Sequence, residues 1–196
     1  MITLGVTGGL ASGKSTACRI LQDKGAAVFD ADQVAKKILF NSPDMWRKLE
    51  NKFNSKISTK DGIDKKSLAQ IAFSSKKNQQ VLNNAIHPEV KERFREFVAL
   101  QKNKNLVVAD VALLFESNFE ELLDHTLVII CDRKIRFERA QKRGNLTAQQ
   151  IKKRMELQMP DNQKRKRASF VIENNGTIEE LREKIDKLYK QLLISS

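Results

Sequence analysis

Cysteine is nearly absent: Cys18 and Cys131 are the only two in 196 residues, far apart and each inside an apolar pattern. Two isolated thiols make neither a disulfide framework nor a zinc site, so both read as small buried residues. Aromatic residues are sparse, at 6% with one Trp and one Tyr, which leaves no base-stacking platform for nucleic acid. No apolar run approaches the roughly 18 residues of a membrane span. The apolar start, residues 1–6, lacks the basic flank and small-residue cleavage site of a signal peptide and reads as a buried first strand. Repeats, Gly/Ser linkers and low-complexity tracts are missing as well. These absences predict a cytoplasmic domain with no membrane partner.

What is present suits one compact α/β domain, with 40% hydrophobic residues for a core and 31% charged residues for solvated helix faces. The formal charge of +12 leaves three explanations open: nucleic acid, a polyanionic small substrate, or lysine decoration of solvated surfaces. The lysines are scattered through helical stretches rather than gathered in a tail.

Short apolar runs, partly β-branched, lie at residues 2–7, 26–30, 106–109, 126–131 and 170–172, as buried parallel strands do. Helical patterns follow at 14–24, 133–143 and 178–193. Such alternation predicts a parallel sheet covered on both faces. Residues 34–39, 44–53, 66–72, 76–86 and 88–101 also carry helical periodicity. The stretch between the second and third strands is therefore too long for one crossover and predicts a helical subdomain. The basic stretch 133–167 reads as a helical arm, of the kind that closes over phosphate sites.

Gly8-Gly9-Leu10-Ala11-Ser12-Gly13-Lys14-Ser15 matches the phosphate-loop pattern G-x-x-x-x-G-K-[ST] in full, with Thr16 next. An apolar strand precedes it and a helix pattern follows, which is the context the motif needs. Gly9, Ala11, Ser12, Gly13, Lys14, Ser15 and Thr16 are the expected nucleotide contacts. Backbone N–H groups converge on phosphate oxygens, and the helix adds its positive end. Lys14 reaches the β- and γ-phosphates, while the Ser15 hydroxyl is the expected ligand of Mg²⁺, a hard cation.

Phe29-Asp30-Ala31-Asp32 ends the second apolar run, where open α/β sheets bind ligands. Phosphoryl transfer to a hydroxyl needs a group to orient it and take its proton. Asp32 is the candidate, and Asp30 the candidate support for metal or substrate; the competing reading of Asp32 is a helix cap. Asp110 ends the third strand and is either a Mg²⁺-positioning aspartate or an ordinary strand-end residue. Arg136, Arg139 and Arg143 share one helix face, which reads either as a phosphate clamp or as a solvated face. Residues 164–167 read either as surface charge or as a patch against an acidic substrate. His87-Pro88 reads as a break between two helices, with the proline at a first turn.

These residues together resemble the dephospho-coenzyme A kinases from about residue 2 to about 190. The loop is common to many families. More specific are Asp30-Ala31-Asp32, Asp61-Gly62, Leu82 to Pro88, Leu113-Leu114-Phe115-Glu116, the Arg139 and Arg143 pair, Arg154 with Gln158, and Val171 to Thr177. The resemblance implies ATP-dependent phosphorylation of the ribose 3′-hydroxyl of dephospho-CoA, with Mg²⁺. It implies a P-loop kinase core with a five-stranded parallel sheet flanked by helices, formed by residues 1–32 and 105–196. A helical lid would lie at about 133–165 and a helical acceptor subdomain at 33–104. It further implies Asp32 as the base, with Lys14 and Arg139 also catalytic. Arg143 and Asn175 would bind ATP, the latter beside adenine. His87 and Lys91 would join Asp32 on the acceptor. The partners would be ATP and dephospho-CoA, without nucleic acid, in a monomer or weak homo-oligomer.

The sequence departs from the family's pattern in four places. Ala11 stands where glycine is usual, which suits a negative φ. Lys91 replaces arginine and loses bidentate phosphate binding. Ala112 replaces proline, and Ala168-Ser169 stands for Ala-Asp. Two rival readings stay open: a P-loop kinase for another acceptor, and a basic NTPase that binds nucleic acid.

Overall fold

Residues 2–8 are buried one after another, which only a strand with sheet neighbours on both sides and cover on both faces can accommodate. The computed structural model describes residues 1–60, 62–72 and 74–194, so Asp61 lies outside the described residues. Its strands are β1 (Ile2–Gly8), β2 (Ala27–Asp30), β3 (Ser58–Thr59), β4 (Gly62–Ile63), β5 (Leu106–Asp110), β6 (His125–Ile130) and β7 (Phe170–Glu173). Its helices are α1 (Lys14–Asp23), α2 (Ala31–Asn41), α3 (Pro43–Phe53), α4 (Lys65–Ala72), α5 (Lys76–Ala99), α6 (Arg133–Lys142), α7 (Ala148–Leu157), α8 (Asp161–Arg167) and α9 (Ile178–Ile194).

Five strands form a sheet in the order β2-β5-β1-β6-β7, and every pairing is parallel. All five expected apolar runs are in it. On one face Leu4, Val6, Leu106, Val108, Leu127 and Ile129 meet Ala17, Ile20 and Leu21 of α1. Leu181, Ile185, Leu188 and Leu192 of α9, spaced as one helical stripe, complete that core. Register places Asp30 beside Asp110, and Asp110 beside Val6, so the carboxyl ends of β1, β2 and β5 gather at one edge.

The chain divides into two compact units, Met1–Asp30 with Val98–Ser196, and Ala31–Phe97. The second contains α2 to α4 and the two-stranded β3–β4 hairpin, whose strands are too short to register as alternation in sequence. No helix among the described residues is long and apolar enough to cross a membrane.

The expected break at His87-Pro88 does not exist. Helix α5 continues through Pro88. The proline removes the N–H that would bond four residues back, but Leu82, Ala85, Ile86, Val90 and Phe94 are all buried on the stripe around it. Burial of that stripe outweighs the local defect, as tertiary packing commonly does. Pro88 is exposed, so Pro88→Ala should restore the hydrogen bond without opening a cavity. The expected gain is about 1–2 kcal/mol, after allowing for the freer unfolded chain. It would be read as a higher urea midpoint, and an unchanged or lower midpoint would contradict this account.

Candidate active site

The phosphate loop spans the gap between the last residue of β1, Gly8, and the first of α1, Lys14. Ser12 N–H donates to the Gly9 carbonyl at 3.0 Å, closing its turn. Gly13 has φ 103°, and a Cβ there would lie 2.2 Å from the Asn174 side chain, so both conformation and space require glycine. Ala11 corrects an expectation: its φ is 59°, in the left-handed region, where an L-residue costs about 1–2 kcal/mol. The methyl is buried against Ala140 and Ile151, which offsets part of that strain.

Lys14 donates to Asp110, the strand-end carboxylate, and both side chains are largely buried. Asp30 is exposed and lies opposite Asp110 in register. Ser15 presents an exposed hydroxyl at the start of α1. Cys18, on the same helix, is buried; burial and then the Asp110 charge push its thiol well above the ordinary range. Cys131 is buried too, as expected of both cysteines.

Several residues that the sequence left without a role hold this loop. Asn174 Nδ2 donates to the Ser12 carbonyl at 2.7 Å, a buried contact, and Gln158 Oε1 accepts from Leu10 N–H at 2.8 Å. Asn175, the expected adenine contact, accepts from Asp132 N–H at 2.8 Å and so ties the end of β7 to the start of α6. Arg136, Arg139 and Arg143, at the face and end of α6, have different partners. Arg136 overlies Gly9, where a Cβ would come within 1.6 Å of its guanidinium, and it pairs with Asp161 at 3.3 Å. Arg139 donates to the carbonyls of Asn174 and Gly176 at 2.9 and 3.0 Å. Arg143 lines a cavity of about 320 Å³ with Leu10, Ala140, Asn145, Leu146 and Arg154. Lys164, read as surface charge, is fully buried. A charge run hides its one inward residue when the helix is as short as α8.

In the second unit Asp32 is exposed in the first turn of α2, which begins at Ala31 rather than at residue 34. It is therefore inside the helix and not its cap, and its charge suits the positive helix end. His87 and Lys91 lie four apart on α5, both half-buried, and share one face.

No group of three or more His, Cys, Asp or Glu among the described residues is placed to hold a metal ion. The oxygen donors of Ser15, Asp30 and Asp110 fit a different arrangement. Mg²⁺ keeps several waters and is held by one or two protein oxygens together with substrate phosphates.

A family model described as dephospho-CoA kinase matches residues 2–180. A dephospho-CoA kinase of Chlorobaculum tepidum is 36% identical over 98% of this chain and 95% of its own. The solved dephospho-CoA kinase of Campylobacter jejuni superposes with a TM-score of 0.71 at 28% identity, covering 98% of each chain. A solved Thermus thermophilus protein reaches a TM-score of 0.83 at 30% identity, with 97% of each chain covered.

Asn174→Ala leaves the Ser12 carbonyl without its buried donor, at a cost of about 1–3 kcal/mol. Chemical denaturation should show that loss, and calorimetry should show ATP bound about 10-fold more weakly as the loop loosens. Lost stability with unchanged ATP affinity would make Asn174 structural only.

Proposed function

We propose, from the premise that the chain belongs to the dephospho-CoA kinase family, that Asp32 is the residue that receives the acceptor's hydroxyl proton. The reaction is the transfer of a phosphoryl group from ATP to the ribose 3′-hydroxyl of dephospho-CoA, the final step of coenzyme A biosynthesis. The assignment of residues rests on one observation: the loop of residues 8–15 opens beside the sheet edge where Asp30 and Asp110 end in register. Two residues beyond Asp30, the chain carries Asp32.

On this reading the loop amides and the N-terminus of α1 bind the phosphates of ATP. Lys14 leaves Asp110 for the β- and γ-phosphate oxygens. Ser15, with Asp110 and Asp30 beside it, would hold Mg²⁺, which neutralises charge between the β- and γ-phosphates when bound. Asp32 orients the 3′-hydroxyl and accepts its proton as the oxygen–phosphorus bond forms. His87 and Lys91 contact the acceptor, and residues 31–97 form its binding unit. Arg139 orders the turn after β7, where Asn175 borders the adenine, and Arg143 reaches the polyphosphate from the end of α6. Lys91 acts as a single point charge where the family's arginine would bind bidentately. The reaction takes place in the cytoplasm, in a monomer or weak homo-oligomer, with no nucleic acid or membrane involved. A polyanionic acceptor also gives the charge of +12 a use.

The deciding experiment is an ATP-consumption assay with Mg²⁺ and dephospho-CoA, run beside adenosine, AMP and shikimate. Turnover with dephospho-CoA alone is expected. Asp32→Ala should lower kcat by about 10²- to 10⁴-fold while ATP affinity, measured by calorimetry, stays at the wild-type value. If affinity collapses together with turnover, the role given to Asp32 is wrong.

A further inference from the structure

Lys164 occupies an unusual place for a lysine. It is fully buried in α8, while its neighbours Arg165, Lys166 and Arg167 are exposed. Its Nζ has no hydrogen-bond partner among the described residues. An ammonium buried in that way destabilises a fold unless something completes its shell. Burial is the largest influence on it and lowers its pKa; Glu116 and Asp161 oppose that, and Arg136 and Lys14 add to it. Both carboxylates are engaged elsewhere. Asp161 faces Arg136 at 3.3 Å, and Glu116 accepts from the Met159 N–H at 3.0 Å.

Arg136 shares the condition, since its Nε is also buried without a partner. Its guanidinium lies over Gly9, at the strand end of the phosphate loop. Lys14 rises from the helix end of the same loop. Lys164 lies one turn along α8 from Asp161, the residue that pairs with Arg136, so Lys164 and Arg136 are neighbouring cations with donors unused. The ligand class that fits is an anion with several acceptor oxygens. The N-terminus of α1 takes the inner phosphates of a nucleotide, which puts the terminal phosphate toward Gly9 and the Arg136 guanidinium over it.

We infer that Lys164 is a catalytic residue of the phosphoryl transfer, donating with Arg136 to the oxygens of the terminal phosphate of ATP. The inference rests on the function proposed above. In the step concerned, the bond from phosphorus to the β–γ bridging oxygen breaks and its electron pair stays on ADP. The 3′-oxygen forms the new bond to phosphorus, and the hydroxyl proton passes to Asp32. Charge develops on the phosphoryl and bridging oxygens, and a donor that is already desolvated stabilises it without first giving up a water shell of its own. A lysine retained for stability alone is a poor account of the same geometry, because an apolar side chain of similar length would fill that space without a charge.

The test is Lys164→Met in the full chain, which keeps the stem volume and removes the charge. Its thermal midpoint should equal or exceed that of the wild type. Its kcat with dephospho-CoA should fall by about 10²-fold or more. The ratio of ATP to ADP affinity, from calorimetry, should fall by about 10-fold, since only ATP carries the contacted phosphate. An unchanged affinity ratio overturns the inference whatever happens to kcat, and so does a variant that fails to fold, because Lys164 would then be structural. Wild-type turnover of dephospho-CoA is measured in parallel. Its absence would overturn the acceptor assignment, while the affinity ratio would still decide on Lys164.

Discussion

The ion pair between Lys14 and Asp110 joins the first residue of α1 to the last residue of β5, and so fixes the phosphate loop to the sheet edge. The same meeting of strand ends and helix start orders the rest of the site. β1 can deliver a loop to this position only because it lies between β5 and β6, with the chain leaving it through α1 on one side and the β5-to-β6 connection passing on the other. Parallel sheets bind ligands at such a switch point, outside the carboxyl ends of the strands. The aspartate also limits what a concentration of positive charge can do. Lys14 and Arg136 each have a carboxylate to hold them, Asp110 and Asp161, so each cation is oriented by its own anion and the repulsion between them is offset.

The elements legible in the sequence are those in which a local pattern and a global constraint coincide. A strand buried on both faces must be apolar at every position, so residues 2–8 and 106–110 declare themselves. The phosphate loop is legible for a similar reason. Its glycines, lysine and serine serve a ligand whose geometry fixes their spacing, and the flanking strand and helix are where that ligand requires them.

What escaped the sequence is held by contacts between distant residues. Asn174 reaches Ser12, and Gln158 reaches Leu10, across most of the chain. Nothing in the composition of 171–177 distinguishes Asn174, which supports the loop, from Asn175, which closes a strand-to-helix turn. Lys164 was hidden by its neighbours, because one inward position in a run of basic residues has no periodicity to betray it. Pro88 misled for the opposite reason: a strong local signal for a helix end was overruled by a buried stripe on both sides of it.

Ala11 shows how the loop and the basic arm are joined. A left-handed alanine costs about 1–2 kcal/mol, and burying its methyl returns about 0.8 kcal/mol. The burial offsets part of the strain, so the residue is tolerated rather than favoured for the loop's sake. The methyl, however, sits in a small cluster with Ala140 and Ile151, packed by Leu10, Phe137, Leu146 and Met155. That cluster is separate from the main core and connects the loop directly to α6 and α7. Glycine at this position would relax the backbone and delete the contact. With alanine, this buried methyl group adds to the Gln158–Leu10 hydrogen bond and the Arg136–Gly9 contact in coupling the conformation of the loop to the placement of the arm. A phosphate that orders the loop would therefore also order the arm, at the point where the buried cations need it.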